Sequence, residues 1–221
     1  MGQYAVKFSK QGYICYTSHL DLLRLFKRAF KKAGIRLAYS QGFNPHPKIG
    51  FAQPLSLGYS SVCEYLEFET AENYDTTILR SLLEDQMPEG IALHSCEKMD
   101  GQKKSLAART YEAEYIIGIP MGMTPEKSAG ELLEAFLAQE TIMVPKKQKK
   151  SKQLKNVDIK DKIRFLNGVY EGENLILTAN LDSGSDSNLS PELLIQALVK
   201  FMGIETERAE MNVLRTKIIF E

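Results

Sequence analysis

The order of predicted secondary-structure elements repeats along this chain of 221 residues. Near the start, Tyr4, Val6 and Phe8 alternate with Ala5, Lys7 and Ser9, which is the period of a strand. A helix, two strands, a helix and a strand follow. The same order begins again at Tyr111. Strand–helix–strand–strand–helix–strand is the split βαβ pattern. We therefore predict an α+β fold made of two tandem ferredoxin-like domains.

The predicted domains span residues 1–98 and 109–221, with a polar linker at 99–108. Ser18 is a favourable N-cap for the first helix, Asp21 has capping-box spacing, and Gly34 is a natural stop. The pattern further predicts an extended stretch at 35–39, a strand at 61–70, a helix at 75–87 and a strand at 90–98. In the second half it predicts a strand at 111–120, a helix capped by Thr124 before Pro125, an extended stretch at 141–145, a hairpin around the EGE turn, a helix after Ser190 and Pro191, and a strand at 205–220.

Charge is distributed very unevenly, although the whole chain has a net charge of zero. The first 56 residues hold nine basic side chains and one acidic side chain, Asp21. A second basic segment, residues 144–164, holds nine basic and two acidic side chains. Such segments attract anions, and nucleic acid is a common large one. The alternative is that the charges form solvated faces and that the second segment is a mobile loop.

Four cations, Arg24, Arg28, Lys31 and Lys32, fall on one side of the first predicted helix. Like charges at helical spacing repel one another by about 0.2–0.5 kcal/mol per pair. A helix that tolerates this repulsion favours an anionic partner. The alternative is a solvent-facing helix whose charge is relieved by glutamates on a neighbouring strand, namely Glu64, Glu67 and Glu69.

A long loop with three prolines, residues 39–55, follows this helix and is called the proline loop below. Pro45, Pro47 and Pro54 stiffen it and remove amide donors. Aromatic side chains can stack on unpaired bases, amides can bind base edges, and a lysine can bind phosphate. The candidate nucleotide-binding side chains of the loop are Gln41, Phe43, Asn44, His46 and Lys48. The alternative is that Phe43 and Phe51 are buried in the core.

The sequence predicts neither a cofactor nor a metal site. The three cysteines are widely spaced and suit small buried positions, and the P-loop, GxGxxG and GxSxG motifs are missing. His19 and His46 are the candidates for a general acid or base near a ribose 2′-hydroxyl. The alternative is that His19 shapes the helix start and His46 packs against prolines. With no apolar run near the about 20 residues of a membrane helix and no signal peptide, we expect a cytoplasmic protein.

The strings SHLDLLRLFKRAFKKAG, YSQGFNPHPKIGFAQPLSLGYSS and CEYLEF resemble the radical-SAM-linked protein family, a bacterial domain of unknown function found beside or fused to radical S-adenosylmethionine enzymes. The resemblance is concentrated in residues 13–70. Its motif positions are Ser18, His19, Asp21, Arg24, Arg28, Ser40, Gln41, Gly42, Phe43, Asn44, Pro45, His46, Pro47 and Lys48. It implies no established catalytic role for any of them. The chain has no CxxxCxxC, so the resemblance implies an accessory to a separate cluster-containing enzyme.

The main hypothesis is an RNA-binding accessory protein, for tRNA or rRNA, that assists a radical S-adenosylmethionine enzyme and has no catalytic activity of its own. Arg24, Arg28, Lys31, Lys32 and Lys48 would hold phosphates. Two alternatives remain open at this point. One is a metal-independent RNA endonuclease that uses His19 or His46 as the base. The other is a protein–protein adaptor whose basic helix docks on an acidic surface of the partner enzyme.

Overall fold

The computed structural model describes residues 1–99, 101, 104–122, 127–147 and 153–221. Within these ranges the strands are β1 Gly2–Lys10, β2 Ile49–Phe51, β3 Ser60–Thr70, β4 Ile91–Lys98, β5 Thr110–Pro120, β6 Met143–Lys147, β7 Leu154–Asp158, β8 Ile163–Glu171, β9 Asn174–Asp182 and β10 Asn212–Phe220. The α-helices are α1 His19–Lys32, α2 Thr76–Glu84, α3 Leu106–Arg109, α4 Ala129–Leu137 and α5 Pro191–Met202, and the 3-10 helices are Gly12–Tyr16, Lys160–Lys162 and Arg208–Glu210. Helices combined with antiparallel strand pairs confirm the α+β class.

The chain divides into two compact units. Unit 1 contains Met1–Thr110 with Phe220–Glu221, and unit 2 contains Tyr111–Ile219. In unit 1, β1 lies between β4 and β3, and β2 pairs with β3. In unit 2 the strand order is β10–β5–β9–β8, and β6 and β7 form a separate antiparallel hairpin. The predicted linker at 99–108 includes the start of α3, and unit 1 continues to Thr110.

Aromatic side chains form much of the core of unit 1. Alternation along the strands puts Phe8 of β1 and Phe68 of β3 in a cluster with Phe26 and Phe30 of α1. The rings of Phe8 and Phe26 are 5.0 Å apart, and those of Phe30 and Phe68 are 4.6 Å apart. Burying one such side chain stabilises the fold by about 1.5–3 kcal/mol. This packing fixes one face of α1 and leaves the opposite face to solvent.

Helix α1 begins and ends where the sequence predicts. The Ser18 hydroxyl accepts a hydrogen bond from the backbone N–H of Asp21 at 3.2 Å, which caps the first turn. Gly34 ends the helix with φ of +71°. Its N–H donates to the Lys31 carbonyl and the Ile35 N–H donates to the Phe30 carbonyl. This pair of bonds is a Schellman motif, which favours glycine at the left-handed position.

Unit 1 contains a strand that the sequence analysis placed inside the proline loop. Ile49, Gly50 and Phe51 form β2 and pair with residues 66–68 of β3. The predicted extended stretch at 35–39 contributes only isolated bridges among the described residues, from Leu37 to Thr70 and from Tyr39 to Pro47. The stretch at 35–39 thus makes bridges but no regular ladder, and the paired strand of this part of the sheet lies later in the chain, at Ile49–Phe51.

Three boundaries in unit 2 also differ from the prediction. Helix α4 starts at Ala129 behind a capping box of Ser128 and Glu131, whereas the predicted cap, Thr124 with Pro125, lies outside the described residues. The predicted strand at 205–220 begins only at Asn212, after a short 3-10 helix. The basic segment, expected as a loop, contains the β6–β7 hairpin, and its residues 148–152 lie outside the described ranges.

None of the described helices is long and apolar enough to cross a membrane.

The cysteines occupy the protected positions that the sequence predicts. Cys15 and Cys63 are buried, and Cys96 is half-buried. Burial, followed by the nearby Glu97 carboxylate, raises the pKa of the Cys96 thiol to about 11. With that pKa only about 0.1% of the thiol is ionised at pH 8, and the thiolate is the reactive form. We expect a colorimetric thiol reagent to modify native protein far more slowly than urea-unfolded protein. Rapid modification of a native cysteine would contradict this arrangement.

Candidate nucleic-acid interface

The cations of α1 project from the face opposite the core. Arg24, Arg28, Lys31 and Lys32, called the basic helix face below, are all exposed. Arg24 and Arg28, like Arg28 and Lys32, are separated by four residues and are neighbours on the helix surface. The leucine and phenylalanine side chains of the other face hold the helix on the sheet. The helix therefore presents a row of positive charges to solvent.

Two of the predicted phosphate-binding cations form ion pairs within unit 1. Arg24 Nη1 lies 2.7 Å from Asp21 Oδ1. Hydrogen bonds from the Ser18 hydroxyl and from Arg24 lower the pKa of the Asp21 carboxyl. Lys48 Nζ lies 2.7 Å from Glu69 Oε2. These two cations therefore have part of their charge compensated before any ligand binds.

The remaining three cations of the basic helix face are different. Among the described residues, Arg28, Lys31 and Lys32 form no ion pair. The glutamates that could have relieved the helix have other neighbours. Glu69 pairs with Lys48, and Glu67 accepts hydrogen bonds from the Gln3 amide and the Leu106 N–H, each at 2.7 Å. Glu64 is buried in β3. The positive charge on this face is therefore available to an external anion.

An open groove of about 530 Å³ runs beside the basic helix face. Arg28 and Lys32 line one side, and the segment that follows α2 lines the other with Asp85, Gln86, Met87 and Pro88. Asp85 and Gln86 supply a carboxylate and an amide next to the two cations. The sequence analysis missed both, because they lie more than 50 positions from α1 and only the packing of α2 brings them near.

The proline loop is closed at its base by a short ladder of backbone bonds. The Lys48 N–H donates to the Ala38 carbonyl, and the Glu69 N–H donates to the Lys48 carbonyl. Nearer the tip, the Ser40 N–H donates to the His46 carbonyl at 2.8 Å. The His46 N–H donates to the Ser40 hydroxyl at 3.0 Å. These bonds fix the segment between Ser40 and His46 as a compact tip.

The structure separates the two phenylalanines of the proline loop. Phe43 at the tip is fully exposed, and Gln41, Asn44 and His46 are exposed around it. Phe51 is buried, as the alternative expected for at least one of the two rings. Its ring lies 5.9 Å from Phe8 and 5.8 Å from Phe26. Phe43 can contact a ligand, whereas Phe51 anchors the end of the loop.

Lys48 lines a different concavity from the helix cations. This one measures about 260 Å³ and lies beside β2 and β3, where Glu67, Glu69 and Ser105 also line it. Arg28 and Lys32 line the groove described above. The structure thus brings Arg28 and Lys32 together, and it brings Lys48 together with its own carboxylate partner.

The candidate histidines have different environments. His19 is half-buried at the start of α1, and its ring lies 5.2 Å edge-to-face from the ring of Phe51. His46 is exposed at the end of the loop tip. Within the part of the chain that the structure describes, no hydrogen bond or ring contact joins the two. His19 therefore serves to pack the helix start, and His46 is available to solvent.

The positive charge of the second basic segment, residues 144–164, is partly compensated by neighbouring groups. Lys146 and Lys155 face each other across the β6–β7 hairpin, and directly opposed like charges destabilise a strand pair. Lys160 Nζ donates to the Gln139 carbonyl at 2.6 Å. Arg164 forms an ion pair with Asp182, and the hydrogen bond that its guanidinium donates to the Asp182 carboxylate raises the pKa of Arg164. The hairpin pair Lys146 and Lys155 is therefore the stronger candidate here for contact with an anion.

Comparison with solved structures gives a distant fold similarity. A chain of a Cbf5–Nop10–Gar1 complex aligns with 97% of this chain at 12% sequence identity and a TM-score of 0.54, and the aligned part is 48% of that chain. This chain thus spans about half the length of that protein. An unknown protein from Galdieria sulphuraria aligns over 99% of this chain and 98% of its own, at 13% identity and a TM-score of 0.28. At these identities the first match indicates a similar fold only.

Sequence comparison identifies the family. No protein with a curated description matches the chain. A family model described as an uncharacterized protein conserved in bacteria matches residues 3–191. That range includes all of unit 1 except its first two residues and its last two, together with the basic helix face and the proline loop. The chain therefore belongs to this family of uncharacterized conserved bacterial proteins, DUF2344.

Proposed function

We propose that this protein binds RNA, either tRNA or rRNA, and assists a separate radical S-adenosylmethionine enzyme that modifies it. The observation that carries the proposal is the set of exposed cations Arg28, Lys31 and Lys32, which have no ion-pair partner among the described residues. Polyanions are held mainly by such cations, because each phosphate contact releases condensed counterions. The chain has no net charge, so the attraction is local to its basic surfaces, of which this helix face is one.

The basic helix face supplies affinity, and the loop tip supplies contacts to bases. Phosphate contacts position a nucleic acid but do not identify its bases. At the tip, the exposed ring of Phe43 can stack on an unpaired base, and the amides of Gln41 and Asn44 can form hydrogen bonds to base edges. His46 and Lys48 flank these groups. This division of roles favours RNA with accessible loops over regular duplex.

The strand orders support a ferredoxin-like fold for each unit. In unit 1, β1 lies between β4 and β3, and β2 is next to β3. In unit 2, β5 lies between β10 and β9, and β8 is next to β9. Both orders correspond to the fourth, first, third and second strands of a split βαβ unit. We propose that the β6–β7 hairpin is an insertion before the second of these strands.

The partnership with a radical S-adenosylmethionine enzyme rests on the sequence resemblance of residues 13–70. The chain lacks the CxxxCxxC motif, so an iron–sulfur cluster of that type must be held by the partner. In this proposal the protein delivers or positions the RNA, and the enzyme performs the chemistry. Both are expected in the cytoplasm, where tRNA and rRNA are modified.

Crosslinking in cells tests the proposal directly. Ultraviolet irradiation of cells that express the tagged protein, followed by denaturing purification and sequencing, should recover tRNA or rRNA fragments. Crosslinked peptides should come from the loop tip or from α1. Recovery of RNA at the level of an unirradiated sample would contradict the proposal.

Replacing Phe43 by alanine tests the role of the loop tip. Base–aromatic stacking contributes about 1–3 kcal/mol per base, so Phe43→Ala should weaken RNA binding by about tenfold. Thermal unfolding should be unchanged, because the ring contacts solvent. The matched control is Phe165→Ala, which removes a half-exposed ring from unit 2. Equal affinities of Phe43→Ala and the wild type would exclude stacking by this ring.

A further inference from the structure

Two exposed tyrosines project from the 3-10 helix Gly12–Tyr16, which is called the tyrosine turn below. Tyr13 is 97% exposed and Tyr16 is 72% exposed. Side chains three residues apart in a 3-10 helix lie on the same side, because there are three residues per turn. Cys15 is buried, and Ile14 packs against the core of unit 1. The turn thus places its aliphatic and thiol groups inward and two aromatic rings outward.

The backbone of the tyrosine turn is held by a buried lysine. Lys10 is 1% exposed, and its Nζ donates to the carbonyls of Cys15 at 3.2 Å and Thr17 at 3.0 Å. Burying an ammonium group is costly unless its donors are satisfied. The N–H of Gly58 also donates to the Cys15 carbonyl at 2.9 Å. The fold therefore buries the ammonium group of Lys10, at a cost in free energy, to fix this short turn.

The turn also packs directly against Gly90. The Gln11 N–H donates to the Gly90 carbonyl at 2.9 Å. Gly90 has φ of +91°, and a Cβ atom there would lie 2.4 Å from the Gln11 carbonyl oxygen and 2.8 Å from Ile14 Cγ2. Only glycine permits this approach. The two rings therefore stand on a fixed support, although neither ring is needed to fill the core.

The charge next to the turn indicates what the rings contact. Two residues, Thr17 and Ser18, connect the turn to α1, whose exposed positions Leu20, Arg24 and Arg28 follow at four-residue spacing. Four residues of α-helix rise by about 6 Å. An exposed aromatic pair followed by a row of cations is the combination with which proteins bind single-stranded nucleic acid.

We propose that Tyr13 and Tyr16 form a stacking platform for unpaired bases of the RNA whose phosphates the basic helix face holds. The inference rests on the proposed function and narrows its ligand to a single-stranded segment. Base faces are covered in a duplex and available in a single strand. A protein partner with a purely apolar surface would leave Arg28, Lys31 and Lys32 without a counter-charge, whereas a single strand supplies both bases and phosphates.

A tryptophan substitution gives a direct readout, because the chain contains no tryptophan. The probes are a twelve-residue oligouridylate and a blunt-ended RNA duplex with the same number of phosphates. In Tyr13→Trp, the oligouridylate should quench the indole emission over the same concentration range in which anisotropy reports binding. The duplex, whose base faces are covered, should leave the emission unchanged. Binding of oligouridylate without quenching would overturn the inference.

Affinity measurements provide the second readout. Tyr13→Ala combined with Tyr16→Ala should weaken oligouridylate binding by about tenfold or more, since each stacked base contributes about 1–3 kcal/mol. Tyr13→Phe with Tyr16→Phe should bind as the wild type does, because the rings remain. Tyr111→Ala, which removes an exposed tyrosine from unit 2, is the matched control. If the alanine pair fails to fold, the phenylalanine pair still tests the inference. Loss of oligouridylate binding by the phenylalanine pair would overturn it, because both rings are retained.

The outcomes separate this inference from the proposed function. If the alanine pair binds oligouridylate like the wild type while cation reversal on α1 abolishes binding, the platform is refuted and RNA binding stands. If the wild type binds neither probe, both are refuted. If the wild type self-associates in sedimentation and the alanine pair does not, with no indole quenching, the rings form a protein contact and the inference is overturned.

Discussion

Reversing two charges on the basic helix face, Arg28→Glu together with Lys31→Glu, is expected to weaken RNA binding by about 30-fold at 0.1 M salt. Each lost phosphate contact removes about 0.7–0.9 released counterions, and two carboxylates then repel the backbone. Both side chains are exposed and have no ion-pair partner among the described residues, so the change should act on the ligand. Fluorescence anisotropy with a labelled tRNA or a single-stranded RNA measures the effect.

The matched control reverses two exposed lysines of unit 2, Lys200→Glu with Lys217→Glu, and produces the same change in net charge. This control should retain most of the affinity. Equal losses in the two variants would show a general charge effect in place of a helix-specific contact.

Folding provides a second check on the α1 variant. Arg28→Glu turns the repulsive contacts with Arg24 and Lys32 into attractive ones, worth about 0.2–0.5 kcal/mol each. Lys31→Glu acts in the opposite direction, because it places a carboxylate in the last turn of α1 and three positions from the one introduced at position 28. The two effects are of similar size, so the thermal midpoint should change little while binding falls. A lower midpoint together with lost binding would point to a folding defect in place of a lost phosphate contact.

Removing the ring of Phe51 is expected to cost about 3 kcal/mol of unfolding free energy. Phe51→Ala deletes a buried ring that contacts Phe8, Phe26 and His19. The loss combines the transfer free energy of the ring with that of the cavity left behind. Because Phe51 holds the β2 segment of the proline loop on the core, its removal should also loosen the loop tip. Urea unfolding followed by circular dichroism measures the change.

Phe43→Ala makes the same chemical change eight residues earlier and should alter stability by less than about 0.5 kcal/mol. Comparison of the two variants thus separates the aromatic ring that supports the loop from the ring that is available to a ligand. Similar losses of stability in both variants would mean that Phe43 packs against the protein, and it would then be unavailable for stacking.

Elements with strong local signals are predicted well from the sequence. Helix α1 has a capping serine, an apolar stripe and a terminal glycine, and all three signals agree. Strand β3 alternates between buried and partly exposed residues from Glu64 to Thr70, and the adjacent buried pair Cys63 and Glu64 is the one interruption in the pattern. In α4 two competing caps are present, Thr124 with Pro125 and Ser128 with Glu131. The second forms the reciprocal bonds of a capping box, and choosing between them requires the folded chain.

Two short elements that depend on contacts distant in sequence, β2 and the tyrosine turn, are not predicted. Strand β2 has three residues, which is too short for an alternating pattern to be seen in the sequence. It is recognised as a strand through its pairing with β3. The tyrosine turn is held by hydrogen bonds with Lys10, Gly58 and Gly90. No local sequence pattern predicts those contacts. The charges on α1 are visible in the sequence, whereas their exposure and the position of Asp85 in the adjacent groove emerge only from packing.

The dependence of RNA affinity on salt tests the central claim most directly. For the wild type, the logarithm of the binding constant should fall steeply and linearly with the logarithm of the salt concentration. In Arg28→Glu with Lys31→Glu, the slope should be smaller by at least about 1.4, because two phosphate contacts are lost. An affinity of the wild type that does not change with salt, or an identical slope in the double variant, would contradict the assignment of this helix to phosphate binding.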